Sequence, residues 1–387
     1  MIITNDFIPF HRAEITSQEI NNVIDALKSG WISKGPKVVE FEEKLASFLN
    51  TKHVITCNSG TAALHMALLS MRIGPGDEVI VPSFTFCSSV NVILHVGATP
   101  VFVDINEDNF CLNISDVKSK ISAKTKAIIA VHFAGYPADL KELSCLARDN
   151  ELYLIEDAAH AFTTKFNNQY IGTHGDAICF SFYATKNITT GEGGALVVSN
   201  DTLAEKARLY GWHGISKNAW NRYTSEGSWK YDVMLPGFKY NMTDIQAAIG
   251  SSQLEKAEMM RNKKEKIASY YSENLNEISE FIKVPFYKKE VGLQHGWHLF
   301  VIRVKNNNFI NRDEFIERMK ERKIGLSVHF IPVHLHPYYQ TNFPTSLPVT
   351  ENIYDEIVSL PLYSNLTKEE TSYIVKSIKE IFMGASR

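Results

Sequence analysis

The chain has 387 residues, 44% of them hydrophobic and 21% charged, with a formal net charge of -3. That balance is ordinary for a globular protein, and it sets aside nucleic acid and an anionic membrane as main partners. Five dispersed cysteines without a CxxC pair (Cys57, Cys87, Cys111, Cys145, Cys179) read as reduced thiols of a cytoplasmic protein; Met1–Asp6 shows no signal-peptide pattern, and no uncharged apolar run is long enough to span a membrane.

The length suggests two units, a large one over 1–255 and a smaller one over 256–387. Thr16-Ser-Gln-Glu19 is a capping box, followed by Ile20, Val23, Ile24 and Leu27 at helical spacing, so a helix is predicted to about Gly30. A second helix is predicted over 38–49. From residue 53 short apolar strands alternate with helices. The strands are His53–Cys57, Glu78–Val81, Pro100–Asp104, Ala127–His132, Leu152–Asp157, Ala177–Phe182 and Ala195–Ser199, with helices such as Thr61–Met71 and Leu140–Asn150 between them. Continuous apolar runs mean strands covered on both faces, hence a mostly parallel α/β sheet with flanking helices, whose ligands sit at the strands' carboxyl ends.

Residues 205–240 read as an irregular, aromatic-rich segment (Tyr210, Trp212, Trp220, Tyr223, Trp229, Tyr231, Phe238, Tyr240). Thr243-Asp-Ile-Gln246 is another capping box, opening a helix to about Glu255. A charged helix over 255–276 bridges to a smaller α+β unit, with strands predicted at 297–304 and 326–330 and helices at 312–322 and 367–382.

One lysine stands out. Phe180-Ser-Phe-Tyr-Ala-Thr-Lys186-Asn is an apolar strand running into a polar turn, and Gly191-Glu-Gly-Gly194 follows. Upstream, Leu154-Ile-Glu-Asp-Ala-Ala-His160 ends another strand on an aspartate. A lysine and an aspartate at neighbouring strand ends suit pyridoxal 5'-phosphate (PLP): the amine condenses with the cofactor aldehyde, and the carboxylate keeps the pyridine nitrogen protonated. Taken singly, Lys186 also reads as a solvated surface lysine and Asp157 as a helix N-cap. Glu156 should face the other side of the strand. His160 is placed to touch the cofactor ring or to be a satisfied structural histidine. Asn58-Ser-Gly-Thr61 is a strand end, a turn and a helix start, a place for phosphate, with Ser181 as a hydroxyl donor. Phe86 in Pro82-Ser-Phe-Thr-Phe86 can stack on the ring or fill the core. His329, His334 and His336, with His132, lack zinc spacing and an accompanying carboxylate, so no metal is expected and the loop reads as a substrate contact.

These segments, with Ser29-Gly-Trp-Ile-Ser-Lys-Gly-Pro36, Gly97-Ala-Thr-Pro-Val-Phe-Val-Asp104 and Gly237-Phe-Lys-Tyr-Asn-Met-Thr-Asp244, resemble the DegT family of PLP-dependent sugar-nucleotide aminotransferases, in the fold type I aspartate aminotransferase superfamily, over nearly the whole chain. Trp212-His-Gly-Ile215, Lys239-Tyr-Asn241 and the loop from His329 to Tyr339 look closest to the branch that makes UDP-4-amino-4-deoxy-L-arabinose. The resemblance implies that Lys186 carries the cofactor and shuttles the proton, and that Asp157 pairs with the pyridinium. It places His160 near the ring, Gly60, Thr61 and Ser181 on the phosphate, and Phe86 stacked. It also implies that Asn241 reaches the phosphate of a neighbouring subunit in a homodimer, and that Trp31, Lys239 and His329 contact substrate. The implied reaction moves the amine of L-glutamate to a nucleotide-linked 4-keto sugar for surface polysaccharide or lipopolysaccharide. A 3-keto sugar, a keto-cyclitol or a PLP-bound regulatory role fits the same motifs. Family members with histidine in place of the lysine are dehydratases, so Lys186 argues for amine transfer. Tyr183 stands where close relatives often carry histidine.

Overall fold

The computed structural model describes residues 7–216, 230–285, 291–305 and 310–385. Met1–Asp6 and Trp220, Tyr223 and Trp229 of the aromatic segment lie outside them. The chain opens with α1 (Ser17–Ser29) and α2 (Pro36–Leu49). The capping box of α1 forms as predicted, with the Glu19 carboxylate accepting from Thr16 N at 2.8 Å, and Gly30 stops the helix with a left-handed φ of 78°.

The alternating part then runs β1 (His53–Cys57), α3 (Gly60–Ser70), β2 (Glu78–Pro82), α4 (Ser88–His95), β3 (Thr99–Val103), α5 (Ile114–Lys120), β4 (Thr125–Val131), α6 (Leu140–Asp149) and β5 (Tyr153–Asp157). A small hairpin, β6 (Lys165–Phe166) and β7 (Gln169–Tyr170), precedes β8 (Ala177–Ser181) and β9 (Gly194–Val198). The seven long strands form one sheet in the order β1-β9-β8-β5-β4-β2-β3. Only β9 runs antiparallel to its neighbours, so its first residue, Gly194, lies beside Cys57 and Ser181 at the strands' carboxyl ends.

Both faces of this sheet are buried, which is why its strands read as unbroken apolar runs. Ile128 and Ala130 face a core shared with Val38, Phe41 and Leu45 of α2 and Leu140 and Leu143 of α6. Ala127 and Ile129 face the opposite core, shared with Ala63, Met66 and Ala67 of α3 and Val92 and Ile93 of α4. Helix α3 is buried nearly all round, so it is fixed like a strand and its N-terminus is held in place.

The remaining elements are α7 (Asp201–Gly211), α8 (Asp244–Glu255), α9 (Ala257–Leu275), β10 (Ile282–Lys283), β11 (Phe300–Val304), α10 (Arg312–Glu321), α11 (Pro337–Asn342), α12 (Pro348–Tyr354), β12 (Ile357–Leu360) and α13 (Lys368–Ala385). Strands β10, β11 and β12 form a second, antiparallel sheet with its own core, including Phe300, Phe315, Val358 and Phe382. Helix α9 touches both cores, through Met260 in the large one and Ile267 and Tyr271 in the small one. Ile8 from the N-terminal segment also packs in the small core and bridges Ile324.

Three sequence expectations need correction. Residues 205–211 belong to α7, which Asn200 caps by accepting from Leu203 N at 3.0 Å, so the irregular segment starts only at Trp212. The strand predicted over 297–304 begins at Phe300, because the N–H groups of His298 and Leu299 donate to Ala134 O. No strand forms over 326–330: the chain makes one bridge to the sheet, Ser327 to Ser359, after which His329 reaches the same Ser359 only through its side chain and Phe330 turns to stack on His160. The third strand of the small sheet is Ile357-Val-Ser-Leu360 instead.

Candidate active site

The carboxyl ends of β1, β2, β5 and β8 open on a cavity of about 590 Å³. It is lined by Lys186, Asp157, Gly60, Thr61, Ser181, His160, Phe86 and His329, eight residues singled out by the sequence, and also by Thr85, Tyr183, His298 and Phe330.

Lys186 sits in the loop between β8 and β9, which its own hydrogen bonds close. Lys186 N donates to Tyr183 O at 2.9 Å, Thr190 N to Phe182 O at 2.9 Å, and Phe182 N to Gly193 O at 2.8 Å. Burial of the amine lowers its pKa from 10.5 to about 8, with Asp157 pulling the other way. The neutral, nucleophilic amine of the cofactor-free chain therefore grows in as pH rises through about 8. A pH series of amine-reagent labelling, mapped by mass, should show that midpoint for Lys186; one above pH 10 would mean an ordinary surface lysine.

Asp157 ends β5 and is buried. Its Oδ2 accepts from Ser89 Oγ at 2.6 Å and its Oδ1 from Ala159 N at 3.1 Å. Ser89 Oγ in turn lies 2.8 Å from Thr85 Oγ1. Glu156 faces away, as the strand period requires, and its Oε2 lies 2.8 Å from Nε2 of buried His132. Neither Ser89 nor Thr85 was evident from the sequence. The available signal was Ser89 itself, a polar residue on the apolar side of Ser88-Ser-Val-Asn-Val-Ile-Leu94. Ser89→Ala should keep the fold and weaken the hold on the carboxylate by the ~1.5–3 kcal/mol of a charged hydrogen bond, a roughly tenfold to hundredfold loss of turnover. Unchanged turnover would show that Asp157 needs no such support.

The start of α3 faces these groups. Ser59 Oγ caps the helix by accepting from Ala62 N at 3.1 Å, and the N–H groups of Gly60 and Thr61, in the first turn, have no intrahelical carbonyl to bond. A Cβ on Gly60 would meet Ser181 Cβ at 3.0 Å, and one on Gly194 would lie 2.6 Å from Gly60 N. Glycine at both positions lets the Ser181 hydroxyl approach the helix start, forming an anion cradle.

Three histidines wall the cavity, all held neutral at pH 7. Burial, then the nearby Lys186 charge, keeps His160 far below its usual range. Burial also does most to lower His298, and it brings His329 to about 4. His160 Nδ1 accepts from Ala134 N at 3.3 Å, which leaves its proton on Nε2. Its ring lies 4.3 Å from that of His298 and stacks on Phe330 at 5.7 Å. His329 Nδ1 lies 2.9 Å from Ser359 Oγ. Phe86 and Tyr183 are exposed at the rim, and the Phe86 and Phe330 rings lie 5.7 Å apart.

Trp31, Lys239 and Asn241 do not line this cavity. Lys239 Nζ lies 3.4 Å from the centre of the Trp212 ring, Asn241 Nδ2 donates to Met242 O at 3.0 Å, and Trp31 flanks Gly35. Of the histidines weighed for a metal, His334 lies between Ser83 and Glu351, and His132 against Glu156. Among the described residues no three His, Cys, Asp or Glu side chains converge.

The fold and these groups define a class. A mostly parallel sheet presents a lysine of lowered pKa, a buried acceptor-only carboxylate and a helix-start anion cradle on one cavity, which is a PLP enzyme of fold type I. The cradle sized by Gly60 and Gly194 fits the cofactor phosphate, and Asp157 fits its ring nitrogen. Residues 13–379 match the profile of the DegT/DnrJ/EryC1/StrS aminotransferase family. The chain is 45% identical over 388 residues to the spore coat polysaccharide biosynthesis protein SpsC of Bacillus subtilis, covering 98% of each. The structure is similar to that of Spr1654 from Streptococcus pneumoniae in its PMP-form, with a TM-score of 0.91, 33% identity, and 98% of this chain and 100% of that one covered. It is also similar to Helicobacter pylori PseC, an aminotransferase involved in pseudoaminic acid biosynthesis, at a TM-score of 0.91, 28% identity, and 98% and 100% coverage. The chain belongs to the DegT/DnrJ/EryC1/StrS aminotransferase family and is a PLP-dependent aminotransferase.

Proposed function

We propose that the chain moves the amine of L-glutamate onto a nucleotide-linked 4-keto sugar, for a surface polysaccharide or lipopolysaccharide. The observation that carries the chemistry is the convergence of Lys186 and Asp157 on one cavity beside the α3 cradle. A sugar as acceptor is supported by the polysaccharide role named for SpsC and the pseudoaminic acid role named for PseC. When bound, PLP supplies an aldehyde that captures amines and a ring that withdraws electrons. Gly60, Thr61 and Ser181 hold its phosphate, and Asp157 holds the ring nitrogen as a cation. Phe86 covers one side of the ring and His160 lies close to it. Lys186 Nζ, which would capture the aldehyde, would in each half-reaction also take a proton from one carbon and deliver it to another, so that the base is restored when the half-reaction ends. A base with a pKa near 8 is matched to that two-way transfer at neutral pH.

In this reading two copies share their sites: Asn241 of one reaches the phosphate held by the other, while Trp31 and Lys239 with His329 face substrate. Asn241 lies at the end of β1, bridged to Cys57, beside the cradle strand but outside its own cavity. A row of exposed apolar side chains on α1, Ile20, Ile24 and Leu27, supplies a surface for a second copy. Residues 1–255 form the cofactor-binding unit and 256–387 the smaller one, with α9 between them. The enzyme works in the cytoplasm; no described helix is long and apolar enough to cross a membrane.

The decisive test incubates the enzyme with L-glutamate and a panel of nucleotide-linked 4-keto and 3-keto sugars, and reads product masses. An aminated 4-keto product is expected. Turnover of 3-keto sugars alone, or none despite a spectral response to glutamate, would refute the acceptor assignment.

A further inference from the structure

Behind Lys186 lies a buried lysine that the chemistry above does not use. Lys264, on α9, is only 6% exposed and makes no ion pair among the described residues. Burial, and secondarily the charge of Arg261, lowers its pKa to about 7. An unpaired buried amine is costly, and one carried without a partner acid asks for a reason.

Its one hydrogen bond among the described residues supplies it. Lys264 Nζ donates to Asn187 Oδ1 at 3.0 Å, and Asn187 is the residue after Lys186. The amide nitrogen of Asn187 donates to Phe162 O and to Gly296 O, both at 2.8 Å. The side chain is therefore gripped at both ends: two carbonyls fix the nitrogen and Lys264 fixes the oxygen. The grip spans three separate parts of the chain: the turn after β5, the segment leading into β11, and α9. The rear of Lys186 opens on a small cavity of about 20 Å³ lined by Lys186, Asn187, Lys264, His11 and Tyr363. On that side the Asn187 side chain adds its hold on the segment at 186–187 to the backbone bond from Lys186 N to Tyr183 O.

We propose that Lys264 is a positioning residue that acts through Asn187 to hold Lys186 at the cofactor cavity. The proposal rests on Lys186 as the cofactor lysine. That assignment is checked separately in the wild-type enzyme, by borohydride trapping of PLP and peptide mapping.

The test is Lys264→Met, Asn187→Ala and the double variant, each read in four ways: melting temperature of the apo chain, rate of PLP capture by the apo chain, kcat, and KM for the amino donor. Lys264→Met removes an unpaired buried amine and keeps an unbranched apolar stem of similar length. It should melt at or above wild type while PLP capture and kcat fall on the order of tenfold, with KM little changed. If Lys264 acts through Asn187, the double variant should lose no more than Asn187→Ala alone. A lower melting temperature for Lys264→Met would mark the lysine as merely structural. Unchanged kcat and capture, or losses that multiply in the double variant, would equally overturn the proposal.

Discussion

Replacing Lys186 by alanine is expected to lower turnover roughly 10³- to 10⁴-fold, because in the proposed mechanism one amine both captures the cofactor and carries the proton between carbons. The chain should still fold. The Lys186 side chain is not part of any core cluster, and the loop carrying it is closed by backbone bonds from Lys186, Thr190 and Phe182 that the substitution leaves in place. PLP should still bind, more weakly, since the α3 start, Ser181 and Asp157 remain. The measurement is the visible absorbance of the PLP-loaded protein after addition of L-glutamate. Wild type should show a fast spectral change and Lys186→Ala should not. Undiminished turnover in the variant would remove Lys186 from the mechanism.

The second large effect is expected at Asp157. Asparagine is the sharper substitution because it preserves shape. Ala159 N–H needs an acceptor at Oδ1, so the new amide nitrogen must face Ser89, whose hydroxyl can turn to accept. The fold is thus spared while the charge is removed. That charge is the one placed to keep the pyridine nitrogen protonated in the proposed mechanism, and without it turnover should fall on the order of 10²- to 10³-fold. A second readout follows from sign. Asp157 raises the pKa of Lys186 against the larger effect of burial, so Asp157→Asn should move the Lys186 titration below about 8. A midpoint that stays put or rises would show that the two groups do not sense each other.

The strands that carry the chemistry were legible because their burial on both faces leaves unbroken apolar runs, and the polar residues that end those runs stand out. Lys186, Asp157, Gly60 and Ser181 were found on that ground, and the structure gathers them on one cavity. The small sheet was less legible. Its third strand is four residues long, and the run over 326–330 has apolar content for another reason: Phe330 stacks on His160 across the cavity. Periodicity cannot tell an apolar side chain that faces a core from one that faces a ligand.

Local chemistry along the chain determined the helix starts at Thr16 and Thr243, the parallel sheet, and the placing of Lys186 and Asp157 at or just past strand ends. Each of these depends on neighbours within a few residues, or on a strand's own apolar run. Contacts across long sequence separations were decided only by the tertiary structure. Ser89 meets Asp157 across 68 residues, and Lys264 meets Asn187 across 77. His298 reaches His160 through an Ala134 carbonyl that turns the chain out of its strand. Those supporting groups leave no local signature, because a serine or lysine that holds a catalytic neighbour is chemically the same, in one dimension, as one that faces water.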